Sequence, residues 1–239
     1  MHQVEITQIR QETPTVKSFR LALPTPTFSF WPGQWVDLYI DDPTAVPDGI
    51  IGGFSMTSSP LHQDYVELAI KRIPEGQASM YMHDRISVGD RVIIDGGYGD
   101  FYYREGMGDH LVLIAGGIGI TPLMSMIRFV DEAQLDVDLT LVYSAKRPSE
   151  FVFFEELRAT STRNPRIHCH FTVTAPGQET WTGAIGRMHC DWLVPILDVA
   201  DPGSDALYFL CGPRGFAEDI DSILGGMGIE RSRIRYEGW

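Results

Sequence analysis

The sequence predicts two domains, a β-rich one followed by an α/β one, and three observations lead there. Residues 1–105 alternate apolar and polar side chains in short runs (VKSFRLAL, QWVDLYI, YVELAIKR, RVIIDGG) separated by Pro, Gly and Asp. Such alternation with closely spaced turn residues is the patterning of a β-barrel or sandwich. From His110 onward, apolar runs alternate with amphipathic ones, which predicts a parallel, doubly wound sheet. Between the halves lies REGMGD, residues 104–109, polar and glycine-rich, where the boundary should fall.

In the second half, HLVLIA, DLTLVYSA, RIHCHFTVT and ALYFLCG read as buried strands. PLMSMIRFVDEA, EFVFFEELRAT, MHCDWLVPIL and GFAEDIDSILGG read as the helices between them. On this reading the aromatics of FVFFEEL share a packed helix face, and Cys190 sits in the core of a helix. No internal repeat or low-complexity segment interrupts the pattern.

Composition narrows the function classes. With 239 residues, 44% apolar and 21% charged, the chain is globular rather than disordered. Its apolar runs are too short for a membrane-spanning helix. The start, Met-His-Gln-Val-Glu, lacks the basic and apolar stretches of a signal peptide, so a cytoplasmic protein is expected, or an organellar one if a transit peptide was removed. Cys169, Cys190 and Cys211 are sparse and far apart, as in a reducing compartment, and do not make a plant-type iron–sulfur pattern. A net charge of −13 disfavours nucleic acid and anionic membranes as partners. His168-Cys169-His170 tempts toward a metal, but on a strand only the two histidines share a face, and a structural zinc needs four ligands. No metal is expected.

The most informative stretch is Leu113–Arg128, LIAGGIGITPLMSMIR. An apolar strand ends at Gly116-Gly117-Ile118-Gly119, and a helical pattern starts just after. Glycines let backbone N–H groups approach a ligand, and a helix start offers unpaired N–H donors and the positive end of its dipole. Thr121 suits the N-cap and Pro122 the first helical position. A nucleotide pyrophosphate fits this turn, though a plain tight turn would read similarly. No Gly-Lys-Ser/Thr follows, so it is not a Walker loop. At the end of the second strand of this half, Ser144, Lys146 and Arg147 supply a hydroxyl and two cations, and no carboxylate appears before Glu150. In dinucleotide folds, cations here suit the 2′-phosphate of NADP. A solvated surface loop remains the alternative, so NADPH is expected with NADH possible.

These features, in this order, resemble the ferredoxin–NADP reductase superfamily along almost the whole chain. The flavin motif Arg-x-Tyr-Ser resembles Gly52-Gly53-Phe54-Ser55, continuing as Met56-Thr57-Ser58. The Gly-x-x-Ser pyrophosphate motif resembles Gly76-Gln77-Ala78-Ser79, which leads into MYMHDRI. Gly97-Tyr98-Gly99-Asp100-Phe101 resembles the family's Gly-Pro-x-Gly-x-Phe turn. Gly117-x-Gly119-x-x-Pro122 matches the nucleotide loop, and Cys211-Gly212-Pro213 matches Cys-Gly-Pro. Tyr236-Glu237-Gly238-Trp239 resembles the plant-type ending.

The resemblance implies an antiparallel Greek-key β-barrel binding FAD over residues 1–107 and an NAD(P)-binding α/β domain over 108–239. It implies hydride transfer from NAD(P)H to FAD, then electron transfer to a ferredoxin, a flavodoxin, an oxygenase component or a small-molecule acceptor. It gives catalytic roles to Ser55, at the flavin N5, to Cys211, against the nicotinamide, and to Glu237, orienting Ser55 or relaying a proton. Phe54, Met56, Thr57, Ala69, Ile70, Lys71, Gly76, Gln77, Ala78 and Ser79 would contact FAD, with Trp239 stacking on it. Gly117, Gly119, Thr121, Pro122, Gly212 and Pro213 join Cys211 around the nucleotide. One departure stands out: the family's phosphate-neutralising arginine is Gly52 here, leaving Lys71, Arg72 or Arg85 as substitutes. GGFSMTSS also resembles reductases that use free flavin as a substrate. A regulatory subunit sensing flavin or nucleotide redox state is a third reading.

Overall fold

The computed structural model describes residues 1–23, 28–40, 50–201 and 205–238. The first half folds as β1 (His2–Thr13), β2 (Val16–Ala22), β3 (Trp35–Ile40), β4 (Ile50–Ser55), β5 (Tyr65–Lys71), α1 (Gln77–Asp84) and β6 (Arg91–Tyr98). The second half follows as β7 (His110–Gly116), α2 (Ile120–Glu132), β8 (Asp138–Ala145), α3 (Phe154–Arg163), β9 (Ile167–Val173), β10 (Ala184–Ile185), α4 (Cys190–Ala200), β11 (Leu207–Cys211), α5 (Arg214–Gly226) and β12 (Ile234–Glu237).

The chain divides into two compact units. Residues 1–103 with 124–132 form one, and residues 104–123 with 133–239 form the other. In the first unit the strands run β4-β3-β6-β1-β2-β5 and every pair is antiparallel. An antiparallel bridge between Met56 and Leu68 ties the β4 end back to β5, closing the sheet into a barrel. The alternation read in the sequence is physical: Val36, Leu38 and Ile40 of β3 are buried, with less buried residues between them. They join Val4, Ile6, Phe19, Leu21, Leu68 and Ile94 in the barrel core. Burying a side chain of this size contributes roughly 1.5–3 kcal/mol.

The second unit holds a parallel sheet ordered β10-β9-β8-β7-β11-β12. Strand order reverses between β7 and β11, the switch point beside which ligands bind in such sheets. Leu193 and Leu197 of α4, with Ile220 and Leu224 of α5, pack on the sheet face showing Val112, Ile114, Val142, Tyr208 and Leu210. α3 lies against β9, where the Cys169 thiol meets the Leu157 carbonyl.

Several local expectations are corrected. Phe151, Val152 and Phe153 precede α3 rather than lying on its face, because Phe153 is left-handed (φ 60°) and breaks the helical path. The Phe151 ring instead clusters with those of Tyr143, Phe171 and Trp181. Cys190 opens α4 and is exposed, not core. Among the described residues, no helix is long and apolar enough to cross a membrane.

Candidate functional site

In the first unit, the expected flavin residues fall on neighbouring elements. Phe54 and Ser55 end β4, both partly buried, and Met56 and Thr57 follow, fully buried. Ala69 and Ile70 are buried in β5, and Lys71 is exposed at its end. A β-carbon at Gly52 would lie 2.7 Å from both the Ala78 β-carbon and the Phe54 ring. Phe54 and the start of α1 therefore meet over Gly52, and the ring occupies the space a side chain at position 52 would need.

α1 follows Gly76 as its cap residue, with no side-chain cap and no acidic residue in its first turn. Its first N–H groups have no partner within the helix, so they suit an anion such as a flavin pyrophosphate. Ser79 shapes the turn from inside. Its hydroxyl accepts from Ile73 N–H at 3.2 Å and lies 3.0 Å from the Gly76 carbonyl. A β-carbon at Gly76 would sit 2.8 Å from that hydroxyl oxygen, so a side chain there would displace the Ser79 hydroxyl. Of the substitute cations, Arg72 is held in a 2.8 Å pair with Asp84.

The sequence reading missed a polar cluster directly behind the flavin motif. Thr57 N–H donates to the Glu67 carbonyl at 2.8 Å. The Thr57 hydroxyl donates to the Glu67 carboxylate at 2.9 Å. Arg128 donates to that carboxylate at 2.7 Å and to the Thr57 carbonyl at 2.9 Å. Ser58 Oγ accepts from Glu67 N–H at 3.0 Å, and Ser125 Oγ donates to the Ser58 carbonyl at 2.7 Å. Burial pushes the Glu67 carboxyl up, but the Arg128 charge and the bonds from Arg128 and Thr57 outweigh it and hold Glu67 below its ordinary value. The available signal was one acid inside the apolar run YVELAIK and one cation inside PLMSMIRFV.

In the second unit, the expected nucleotide residues gather at the C-terminal ends of β7, β8 and β11. Gly117 adopts φ +57° with nothing within 4 Å of its absent β-carbon, so bare backbone faces open space. Gly119 has no room at all: a β-carbon there would overlap the Cys211 carbonyl. Gly116 and Gly212 both pack on the Phe216 ring, at 2.9 Å and 2.6 Å from their absent β-carbons. Pro213 caps α5. Gly116 pairs with Ser144 across β7 and β8, and Lys146 and Arg147 are exposed just beyond. These glycines and uncapped N–H groups fit a dinucleotide.

The expected capping pattern is corrected here. Gly117–Gly119 form a 3₁₀ turn that runs into α2, with Gly116 as the cap. Thr121 is thus inside the helix, and its hydroxyl donates back to the Ile118 carbonyl at 3.0 Å. Pro122 is the third residue of α2, not the first. Glycine freedom at 117 starts the helix early and makes a side-chain cap unnecessary.

Cys211 is fully buried. Burial, with the Glu237 charge adding to it, pushes its thiol well above the ordinary value. This favours a neutral thiol over a thiolate nucleophile. Glu237 is paired with it in register across β11 and β12. Trp239 lies outside the described residues. Among the described residues, no group of three or more His, Cys, Asp or Glu is arranged to hold a metal ion.

Comparison with known proteins finds a family model for each half of the chain. The oxidoreductase FAD-binding domain model matches residues 3–103, and the oxidoreductase NAD-binding domain model matches residues 113–222. The chain is 31% identical over 255 residues to oxidoreductase NAD-binding domain-containing protein 1 of Danio rerio, covering 98% of this chain and 90% of that protein. It is 28% identical over 242 residues to the glycine betaine monooxygenase reductase subunit of Chromohalobacter salexigens, covering all of this chain. It spans 64% of the length of that reductase subunit. Among solved structures, the flavohem-like FAD/NAD-binding domain of nitric oxide dioxygenase from Vibrio cholerae O1 biovar El Tor shares the fold. The TM-score is 0.86 at 23% identity, over 100% of this chain and 98% of that one.

Proposed function

Because the chain belongs to the ferredoxin–NADP reductase superfamily of FAD- and NAD(P)-binding oxidoreductases, we propose that it moves hydride from NAD(P)H to FAD and electrons on to a separate acceptor protein. The observation that carries this reading is the presence of two distinct anion cradles made of backbone, one in each unit. Gly76–Ser79 opens α1 without a cap, and Gly117 opens α2 with bare backbone. An oxygenase component, a ferredoxin or a flavodoxin is the acceptor class in this proposal. The likeness to a monooxygenase reductase subunit supports the first of these.

FAD held at the first cradle would supply hydride acceptance and single-electron release, and the residues of this chain would position it. Phe54 would pack on the flavin ring, and the Ser55 hydroxyl would hydrogen-bond its N5. The α1 N–H groups would take the pyrophosphate. Cys211, as a neutral thiol, would contact the nicotinamide. Glu237 would relay a proton, and Trp239 would stack on the flavin. Lys146 and Arg147 would bind the 2′-phosphate, giving a preference for NADPH. Anaerobic stopped-flow reduction of the purified yellow protein by NADPH and NADH tests the reading. Flavin that stays oxidised with both nucleotides would overturn it.

One observation favours a second reading, in which flavin is a substrate that exchanges. Phe54 and Ala78 fill the space beside Gly52, so no β4 side chain at that position can reach a flavin phosphate. A charge-assisted bond is worth roughly 1.5–3 kcal/mol, so its lack would weaken flavin retention about tenfold or more. A colourless protein after gel filtration, oxidising NAD(P)H only with added riboflavin or FMN, decides for this second reading.

A further inference from the structure

We propose that Arg128 is a positioning residue for the flavin segment, acting through Thr57 and Glu67 to fix the strand end that carries Phe54 and Ser55. The proposal rests on the reading of that segment as the flavin site. Residues 124–132 of α2 belong to the first unit, so the whole cluster lies within one compact body.

The geometry is that of a clamp rather than of a simple ion pair. β4 ends at Ser55, and Met56 leaves it as an isolated bridge to Leu68. Beyond that bridge the ladder stops, and side chains take over the backbone groups. Arg128 donates to the Thr57 carbonyl, Ser125 to the Ser58 carbonyl, and Ser58 Oγ accepts the Glu67 N–H. The Thr57 hydroxyl and Arg128 meet on the same Glu67 oxygen. Thr57, Ser58 and Ser125 are all fully buried, and the Arg128 and Glu67 side chains are only 13% and 8% exposed. Water therefore cannot substitute for these bonds. Met126, on another side of the same helix, lies 2.5 Å from the absent β-carbon of Gly33, which pins this helix stretch to the barrel.

A buried pair of this kind contributes little net stability compared with apolar residues of similar size. What it supplies is direction. Two buried charges bonded to each other and to the Thr57 hydroxyl and carbonyl allow one path for residues 55–58, whereas an apolar plug would allow several. Ser55 must hold its hydroxyl within hydrogen-bond reach of one ring atom, and small misplacements of reacting groups are costly to rate.

The test is the double variant Glu67→Gln/Arg128→Met, which removes both charges and the guanidinium bonds but keeps an acceptor for Thr57. Measured on the full chain, flavin content is expected to stay near wild type and the melting temperature to fall only modestly, through the lost bond to the Thr57 carbonyl. The rate of flavin reduction by saturating NAD(P)H is expected to fall about tenfold or more, with KM for the nucleotide little changed. The visible circular dichroism of bound flavin is expected to shift. A stable, flavin-replete double variant with the wild-type reduction rate overturns the proposal and leaves the cluster a purely structural element. Where the double variant does not fold, Arg128→Lys and Ser125→Ala carry the test. Slowed reduction at full flavin content in either supports positioning, and wild-type rates in both overturn it. Wild-type protein that fails to be reduced at all would instead sink the functional reading beneath.

Discussion

The two units solve the same problem, holding a phosphate-bearing cofactor, with different materials. On the proposed reading, the second unit does so with backbone: an open left-handed Gly117, a Gly119 packed on the Cys211 carbonyl, and Gly116 and Gly212 under one phenylalanine ring. The first unit also offers a bare helix start at Gly76, but the strand end beside it is held by buried side chains. Arg128, Glu67, Thr57, Ser58 and Ser125 do in the barrel what close glycine contacts do in the nucleotide loop. The lesson is that rigidity at a site can come from having no side chain or from having a fully bonded one. The two fail differently when altered.

The largest expected effect breaks the backbone side of this contrast. Gly119→Ala places a methyl where the Cys211 carbonyl lies, so one of the two must move. Stability is expected to drop by about 1–3 kcal/mol, as for other overpacked interiors. Flavin reduction by NAD(P)H is expected to fall strongly while flavin content stays. Thermal unfolding together with stopped-flow checks both, and wild-type values in each would mean that the loop is not packed as described. Gly117→Ala provides the control. It meets open space and carries only left-handed strain, about 1 kcal/mol.

Next in size is Ser55→Ala, which touches the side-chain solution in the first unit. On the proposed role of Ser55 at the flavin N5, loss of its hydroxyl is expected to slow hydride transfer about ten- to a hundredfold, with flavin content unchanged. An unchanged reduction rate would detach Ser55 from the chemistry.

Arg147→Ala sharpens the comparison at the exposed rim of the nucleotide unit. KM for NADPH is expected to rise about tenfold through loss of one charge-assisted contact, and KM for NADH to hold. Equal changes for both nucleotides, or a native preference for NADH, would remove the 2′-phosphate role from this residue.

The smallest effect concerns acid stability of the first unit. Glu67 is held below its ordinary value in the folded chain, so the unfolded chain binds the proton more readily. Its stabilising contribution is complete above the ordinary carboxylate range and is lost as pH falls through the folded value. Denaturant unfolding stepped from about pH 7 to about pH 3 should show this loss. In Arg128→Met the loss should shrink or reverse, because burial, the largest influence on Glu67, then raises its carboxyl without the opposing guanidinium charge. Identical profiles for the two proteins would mean that Glu67 and Arg128 are not coupled.

Much of this was determined by sequence alone. Period-two alternation in VKSFRLAL and QWVDLYI, and the repeated strand-then-helix pattern after His110, fix which half becomes a barrel and which a parallel sheet. They do so because burial on one face of a strand or helix is a local, periodic requirement. The Gly116–Gly119 turn between strand and helix was equally legible, since glycine is needed where backbone must turn or approach closely. Only the tertiary structure decided the rest. That Gly116 caps the helix instead of Thr121, that FVF leaves the helix at a left-handed Phe153, and that Cys190 is exposed depend on what packs beside each residue. The partnership of Glu67 and Arg128, 61 positions apart, is invisible to any periodicity. Each is a lone charge in an apolar run, and only the folded chain brings them together, because a buried charge is tolerable only where another chain segment supplies its counter-charge.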